Sequence, residues 1–289
     1  MFYLDYLWKN FLLTLKLIKR GEWRRVCQSL YARFYLGVHR LLFVLEAPFL
    51  RARTAAPPAG AIAVQTGHPV AFSSPDHLVP FGTKYNNSTN RAFVVLMNAH
   101  VRKHFPQTPV AFMDLGCSGG QLVADFAHLR WTAVGLEGSD YSLKHRRANW
   151  ATLAGRNLFT CDITKPFRVR QAGQDLQFHL VTAWEVMEHI HPNDLEPLFN
   201  NIRAHLAEGG LFIASTSSST SIVDGVELHQ TRMTNPEWRN YVAARYPDLE
   251  AVDLGLKTHQ YVRFDFGEPS FLVYRKRAGS QTGVKPATP

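Results

Sequence analysis

The stretch VAFMDLGCSGGQ, which runs from Val110 to Gln121, decides how this chain folds. Its first residues are apolar and end at Asp114, a pattern typical of a short buried strand that stops at a carboxylate. The glycines that follow let the backbone approach a ligand closely. A helix that begins near Gln121 presents free N–H groups and the positive end of its dipole. The stretch therefore predicts a nucleotide site at a strand-to-helix turn.

The spacing of the glycines narrows the kind of nucleotide. A dinucleotide-binding turn needs glycine at its first, third and sixth positions, but counted from Gly116 the third and sixth residues are Ser118 and Gln121. A phosphate-binding loop needs Gly-Lys followed by Ser or Thr, and this stretch has no lysine. The DLGCSGG sequence of residues 114–120 instead resembles motif I of the class I S-adenosylmethionine-dependent methyltransferases.

Three further segments resemble other motifs of that family and follow in the same order. Glu137 closes the next predicted strand, where an acid accepts hydrogen bonds from ribose hydroxyls, a role that a dinucleotide enzyme would also use. Asp162 and Ile163 resemble the adenine-binding position, and the EVMEHI sequence of residues 185–190 resembles a fourth signature. The resemblance covers roughly residues 90–276 and implies S-adenosyl-L-methionine as the cofactor.

The resemblance also implies which residues surround that cofactor. The predicted cofactor-binding residues are Asp114, Gly116, Cys117, Gly119, Gly120, Glu137, Asp162, Ile163 and Glu185.

The pattern of strands and helices after Val110 alternates, which indicates a parallel sheet with right-handed crossovers. We predict strands over residues 110–114, 132–136, 157–161, 178–183 and 210–215. We predict helices over residues 91–104, 120–129, 141–152, 193–207 and about 236–246. Two closing strands, about 259–266 and 270–276, are predicted to form a hairpin. The fold class is α/β: a Rossmann-like three-layer sandwich with a seven-stranded, mostly parallel sheet, an antiparallel last strand and an N-terminal helical extension.

Composition divides the chain into four predicted parts. These are a basic amphipathic helical extension (1–53), a linker and substrate-side loop (54–90), the methyltransferase domain (91–277) and a disordered tail (278–289). The extension holds ten Lys and Arg against three acidic residues and so carries most of the net charge of +9. Its two predicted helices, within residues 2–20 and 22–46, can either lie in a membrane interface or pack on the domain or a second subunit.

The charge distribution and the cysteines restrict the partners and the compartment. Charge outside the extension is nearly balanced, which argues against a nucleic-acid groove. Three cysteines provide neither a disulfide framework nor zinc-ligand spacing. No signal peptide and no spanning run is predicted. We therefore expect a cytoplasmic location, with contact at the inner face of the membrane as an open alternative.

Candidate catalytic residues follow from the chemistry of methyl transfer, which needs positioning and, for a hydroxyl acceptor, often a base. Histidine titrates near neutral pH, and the candidates are His189, His191 and His229. Glu185, Glu188 and His189 would share one face of a helix and offer metal ligands, but we predict no metal. Glu185 is instead placed near the methionine end of the cofactor.

Together these features favour a methyltransferase that O-methylates a hydroxyl of a sugar, a lipid-linked saccharide or another small metabolite. The basic helices and the polar insertion, residues 216–235, resemble bacterial methyltransferases that accompany glycosyltransferases. A quinone or lipid-precursor methyltransferase and an inactive, membrane-associated scaffold remain alternatives. The acceptor is expected to be a small molecule or a glycolipid, and the oligomeric state stays open.

Overall fold

The computed structural model of the protein describes residues 18–53, 55–106, 108–262 and 271–279. The helices are α1 Trp23–Ala52, α2 Pro75–Leu78, α3 Phe81–Tyr85, α4 Arg91–His104, α5 Gln121–His128, α6 Tyr141–Lys144, α7 Trp150–Leu153, α8 Leu195–His205 and α9 Asn235–Arg245. The strands are β1 Ile62–Thr66, β2 Ala111–Leu115, β3 Thr132–Glu137, β4 Leu158–Thr160, β5 Phe167–Gln171, β6 Gln174–Asp175, β7 Phe178–Trp184, β8 Leu206–Ser215, β9 Ile222–Val223, β10 Val226–Glu227, β11 Leu249–Ala251 and β12 Phe271–Lys276. Turns of 3₁₀ helix cover Met187–His189, Pro192–Asp194 and Thr258–Gln260.

A seven-stranded sheet in the order β11-β12-β8-β7-β2-β3-β4 forms the centre of the molecule. The strands from β4 to β8 in this order run parallel, and β12 is antiparallel to both of its neighbours. Parallel neighbours require crossovers, and the helices between the strands supply them. The structure therefore confirms the predicted α/β sandwich with an antiparallel last strand.

The two faces of the sheet are covered by different helices because side chains alternate along each strand. On β2, Met113 belongs to a core that includes residues of α8 and α9. Its neighbour Phe112 belongs to a second core that includes residues of α1, α4 and α5. Every residue of β2 and β3 is buried, which fixes the position of the turns that follow these strands.

The predicted helix over residues 141–152 is wrong, because the structure has two short helices, α6 and α7, instead. Arg146 and Ala148 interrupt the helix with φ values of 47° and 48°, a conformation that an α-helix does not allow. The break turns Trp150 inward, where its Nε1 donates a hydrogen bond to the carbonyl of Ser118 at 2.6 Å. Helical hydrogen bonds are therefore absent at the break, and Trp150 instead contacts the turn after β2.

The predicted closing hairpin is also wrong in its first strand. The outer antiparallel partner of β12 is β11, whereas Thr258–Gln260 form a 3₁₀ turn. Residues 263–266 of this predicted strand, and the predicted turn after it, lie outside the described residues. The side chain of Asn90 donates hydrogen bonds to the carbonyls of His259 and Tyr261, so a side chain rather than a strand satisfies this backbone.

The N-terminal extension is described from residue 18 onward, so most of the first predicted helix lies outside the described residues. The second predicted helix appears as α1 and extends to Ala52. Phe43 and Ala47 on α1 are fully buried against the domain, so one face of α1 packs on it. Among the described residues, no helix is long and apolar enough to cross a membrane.

The predicted substrate-side loop contains short regular elements. Within residues 54–90, β1 pairs with β5 in a small second sheet, and α2 and α3 follow. Residues 280–289 of the predicted tail lie outside the described residues. The division of the chain into four parts stays a prediction.

Replacement of Asn90 by alanine tests how α4 is anchored. The buried side chain accepts from the N–H of Ala92 at the start of α4 and donates to the two carbonyls of the segment after β11. Loss of the cap and of partners for two carbonyls should lower the free energy of unfolding by about 3 kcal/mol in urea denaturation. Asn157→Ala is the control, because its side chain makes one hydrogen bond to a backbone carbonyl and should cost about 1 kcal/mol. Equal costs for the two variants would contradict this account.

Candidate active site

A cavity of about 410 Å³ opens at the carboxyl ends of the parallel strands β2, β3 and β7. Gly116 from the turn after β2, Glu137 from the end of β3 and Trp184 from the end of β7 all line it. Asp162, which follows β4, lines it as well. Ligands of open α/β sheets bind at this edge, and the cavity has the size of an ordinary small-molecule site.

The turn after β2 fits tightly between its neighbours. The N–H of Gly116 donates to the carbonyl of Leu136 in β3 at 2.8 Å, and its φ of 70° is one that favours glycine. A Cβ atom at this position would lie 2.5 Å from a methyl carbon of Val186. Glycine is therefore required here for both conformation and space.

The carboxylate of Glu137 is buried and receives hydrogen bonds from three separate segments. Its Oε2 accepts from the N–H of Ser118 at 2.7 Å. Its Oε1 accepts from the N–H of Ser139 at 3.2 Å and from the hydroxyl of Thr83 at 3.3 Å. Burial raises the pKa of Glu137 and the charge of Asp76 adds to this effect, while the three donors oppose it. The carboxylate is thus positioned before any ligand arrives.

Asp162 and Ile163 form a second prepared position at the wall of the cavity. Oδ1 of Asp162 accepts from both the N–H and the hydroxyl of Thr164, at 2.9 and 2.7 Å. The N–H of Asp162 donates to the carbonyl of His68. An oriented carboxylate can accept a hydrogen bond from the amino group of a purine, and an apolar side chain beside it can contact the purine ring.

Four of the predicted cofactor residues do not appear among those that line the cavity. Asp114 is buried behind it and accepts from the hydroxyl of Thr182 at 2.6 Å, and burial raises its pKa to about 7. Cys117 is buried, which raises the pKa of its thiol and leaves it unsuited to act as a nucleophile. Gly119 and Gly120 shape the turn, because a Cβ at either would collide with a neighbouring side chain.

Residues 71–87, called the roof segment here, cover the cavity and are tied to it at both ends. The N–H of Ala71 donates to the carbonyl of Gly138 at 2.9 Å. Near the other end, the hydroxyl of Ser118 donates to the carbonyl of Asn86 at 2.7 Å. The roof segment therefore follows the positions of the turns after β2 and β3.

His189 and Asp76 form a close pair at the wall of the cavity. Nδ1 of His189 lies 2.7 Å from Oδ2 of Asp76, which belongs to the roof segment, and both residues line the cavity. Burial lowers the pKa of His189, but the nearby carboxylate of Asp76, with the charges of Glu188 and Glu185, outweighs burial and raises it above the usual value. This arrangement gives an oriented imidazole with increased basicity.

The two other predicted histidines occupy different environments. His191 lines the cavity but is exposed, and its Nδ1 accepts from the N–H of Asn193. His229 is not among the residues that line the cavity. Its ring meets that of His189 edge-on at 4.8 Å between centroids, and its Nδ1 lies 2.6 Å from the carbonyl of Ser219. The structure thus brings all three histidines to one region, with His189 at the wall.

The expected helical face of Glu185, Glu188 and His189 does not form. Met187–His189 is a 3₁₀ turn, and Glu185 precedes it in a left-handed conformation with φ of 55°. The carboxylate of Glu185 accepts from the hydroxyl of Ser215 in β8 at 2.7 Å, and Glu185 still lines the cavity. A strained residue at this place is typical of functional sites.

The structure brings together a different group of possible metal ligands. Within the described chain, ligand atoms of Glu188, His189 and His229 lie within 4.8 Å of one another and can hold a metal ion. Burial and the charge of Glu185 raise the pKa of the Glu188 carboxyl, so an ion would compete with a proton there. The absence of a metal therefore stays a prediction.

Sequence reasoning missed Asp76, which is the main new residue of the site. The sequence Ser74-Pro75-Asp76 indicates only a helix start, and Ser74 does accept from the N–H of Asp76. The contact with His189 depends on the roof segment being folded over the sheet, which no local pattern encodes.

Residues 113–212 match the sequence profile of a family described as a methyltransferase domain. The match runs from β2 into β8 and contains the turn, Glu137, Asp162 and the Glu185–Ile190 segment. No curated protein sequence matches the chain.

Several solved structures are similar to this chain. One is an S-adenosylmethionine-bound amino pentose methyltransferase from Micromonospora echinaspora, with 17% identity, a TM-score of 0.43, and coverage of 69% of this chain and 95% of that one. Another is a 1,6-didemethyltoxoflavin N1-methyltransferase from Burkholderia thailandensis, with 17% identity, a TM-score of 0.45, and coverage of 70% and 84%. A magnesium protoporphyrin IX methyltransferase from Synechocystis has 13% identity, a TM-score of 0.42, and coverage of 70% and 96%. These values support no argument about the acceptor.

Gly116→Ala should weaken the binding of S-adenosylmethionine at least about tenfold in calorimetric titration, because the new methyl group displaces the segment at Val186. Gly173→Ala is the matched control. Gly173 has a φ of 80°, but a Cβ there meets nothing within 4 Å. It carries the same conformational cost far from the cavity, so its affinity should equal that of the wild type. An equal loss of affinity in both variants would show that backbone strain, and not the contact with Val186, weakens the binding.

Proposed function

We propose that the chain is a class I S-adenosylmethionine-dependent methyltransferase and that it O-methylates a hydroxyl group of a sugar, a lipid-linked saccharide or another small metabolite. The observation that carries this proposal is the pair of Asp76 and His189 at the wall of the cavity. A hydroxyl is a weak nucleophile until its proton is removed, and an imidazole held by a carboxylate is a suitable base near neutral pH.

The residues present fit the cofactor that the family uses. We propose that Glu137 accepts from the ribose hydroxyls, that Asp162 accepts from the adenine amino group and that Ile163 packs against the adenine ring. Both carboxylates are already oriented by hydrogen bonds from the protein, which lowers the cost of ordering them on binding. When bound, S-adenosylmethionine supplies an electrophilic methyl group on a sulfonium.

The remaining predicted cofactor residues have supporting roles in this proposal. Glu185, fixed by Ser215, lies at the part of the cavity next to His189 and serves the methionine end. Gly116 lets the turn approach the cofactor. Asp114, Cys117, Gly119 and Gly120 maintain the shape of the turn from behind.

We propose that His189 removes the proton of the acceptor hydroxyl. Its Nδ1 lies 2.7 Å from Oδ2 of Asp76, and a proton held on Nδ1 toward this carboxylate would leave Nε2 as the basic nitrogen. His191 lines the cavity and contacts the acceptor, while His229 supports the His189 ring from behind. No metal takes part in this proposal.

The roof segment supports an acceptor that is partly apolar. Phe72, Leu78 and Phe81 are exposed, and they alternate along the chain with residues that line the cavity. Exposed apolar side chains beside a cavity mark an interaction surface. This feature supports a lipid-linked saccharide over a free sugar as the proposed acceptor, and we propose that the enzyme acts in the cytoplasm at the inner face of the membrane. It equally suits a quinone or lipid precursor, which is the second candidate.

Methyl transfer from labelled S-adenosylmethionine to a panel of acceptors tests the function. The panel contains free sugars, lipid-linked saccharides, quinols and amines, with product analysis to locate the new methyl group. Label on a saccharide hydroxyl, strongest for the lipid-linked acceptor, is the expected result. Transfer only to quinols would select the second candidate, and transfer only to amines would refute O-methylation. Absence of cofactor binding would leave the scaffold as the remaining interpretation.

His189→Gln should lower kcat by about 10²–10⁴-fold because the base is removed. Asp76→Asn should lower the pKa of His189, since the nearby negative charge that raises it is lost. Activity needs the neutral imidazole, so it rises as pH increases through this pKa. The acidic limb of the kcat/KM profile should therefore move to lower pH in Asp76→Asn, while the plateau falls because a weaker base remains.

His191→Gln is the control for this prediction, because Nδ1 of His191 already accepts a backbone hydrogen bond. It should retain the position of the acidic limb. An unchanged limb in Asp76→Asn would contradict the role of the pair.

Full activity after treatment with a chelator is also expected, and a loss restored by a divalent ion would assign Glu188, His189 and His229 to a metal instead.

A further inference from the structure

We propose that α1 docks on an anionic lipid surface, with its axis in the plane of the interface and its outer face in contact with the lipid. The outer face consists of Trp23, Leu30, Phe34, Leu41, Leu45 and Phe49. This inference goes beyond the methyl transfer proposed above and does not depend on it.

The outer face follows from helical geometry. Its members recur at intervals of four or seven residues, and a helix that turns about 100° per residue places them along one side. All are exposed, with Phe34, Leu41 and Phe49 at 71%, 64% and 72%. Phe43 and Ala47, which contact the domain, lie on the opposite side and are 3% and 0% exposed. The helix therefore has one apolar side for the protein core and a second that the described residues leave uncovered.

The charges of α1 border this outer face. At helical spacing, Arg33, Arg40 and Arg51 fall along one edge, and Arg24 and Arg53 fall along the other. Long basic side chains at the edges of an apolar stripe can reach the headgroups while the stripe enters the acyl boundary. The only acidic residues between positions 18 and 53 are Glu22 and Glu46. The surface therefore complements a layer of negative charge.

The same charges argue against two other occupants. A second copy that packed through its outer face would bring two sets of arginines together, which costs free energy. The first 17 residues contain Lys9 and Lys16 against Asp5, so this segment would also add like charge beside the face. An anionic membrane is the partner that satisfies both the apolar side chains and the basic edges. Insertion across the bilayer is not required, since the basic and apolar sides of α1 suit the interface.

Co-sedimentation of the full chain with vesicles tests this proposal. The vesicles contain equal parts of phosphatidylcholine and phosphatidylglycerol, and pure phosphatidylcholine vesicles serve for comparison. The wild type should bind the anionic vesicles, and added salt should weaken this binding. Phe34→Ser combined with Leu41→Ser should reduce the binding at least about tenfold, because two large apolar side chains no longer enter the interface. The midpoint of thermal unfolding should not change, since both side chains are exposed.

Leu143→Ser combined with Ile222→Ser is the matched control, because both residues are exposed and apolar but lie elsewhere. It should bind like the wild type. Arg33→Gln and Arg40→Gln should each weaken binding to anionic vesicles by about fivefold.

Three outcomes would overturn the proposal. One is failure of the wild type to sediment with anionic vesicles, and another is unchanged binding of the Phe34→Ser, Leu41→Ser variant. The third is a lower unfolding midpoint, or conversion of a dimer to a monomer, in that variant. That result would show that the outer face is covered by protein. Vesicle binding is measured without acceptor, so its outcome is independent of the test of methyl transfer.

Discussion

The buried carboxylate of Glu137 is the constraint on which the rest of the site depends. A charge removed from water must be compensated by hydrogen bonds, and here the donors come from three parts of the chain. Ser118 belongs to the turn after β2, Ser139 follows β3, and Thr83 belongs to the roof segment. One side chain thereby connects the turn after β2, the segment after β3 and the roof segment around the cavity. Trp150 adds a contact from the opposite side by donating to the carbonyl of Ser118.

Features that depend on neighbouring residues could be predicted from the sequence. The strand, turn and helix around Gly116 follow from a run of apolar residues and a set of glycines, and the structure has β2 and α5 there. The predicted helix over residues 91–104 appears as α4, and Asn90, the residue before it, caps its first turn. Family resemblance supplied the antiparallel last strand. For the turn at Gly116 and the start of α4, the information lies within a few residues of the feature.

Features that depend on distant contacts could not be predicted. The helical pattern of residues 141–152 gives no sign of the break at Arg146 and Ala148, which is stabilised by what Trp150 contacts after the chain has folded. The expected strand near residue 259 was replaced because the side chain of Asn90 reaches its carbonyls. Asp76 was missed for the same reason, since its position beside His189 requires the roof segment in place. The histidines themselves were recognisable, but their environments were not.

Asp76, whose carboxylate tunes the basicity of His189, belongs to the roof segment. The exposed apolar surface that is proposed to select the acceptor belongs to the same segment. Asp76 lies a few residues from Phe72 and Leu78, whose side chains are exposed. During divergence, changes that adapt the roof segment to a new acceptor also act on the carboxylate that tunes the base. Exchange of this segment between related enzymes transfers selectivity and reactivity as one unit, so a graft that omits Asp76 brings the new acceptor to a weakened base.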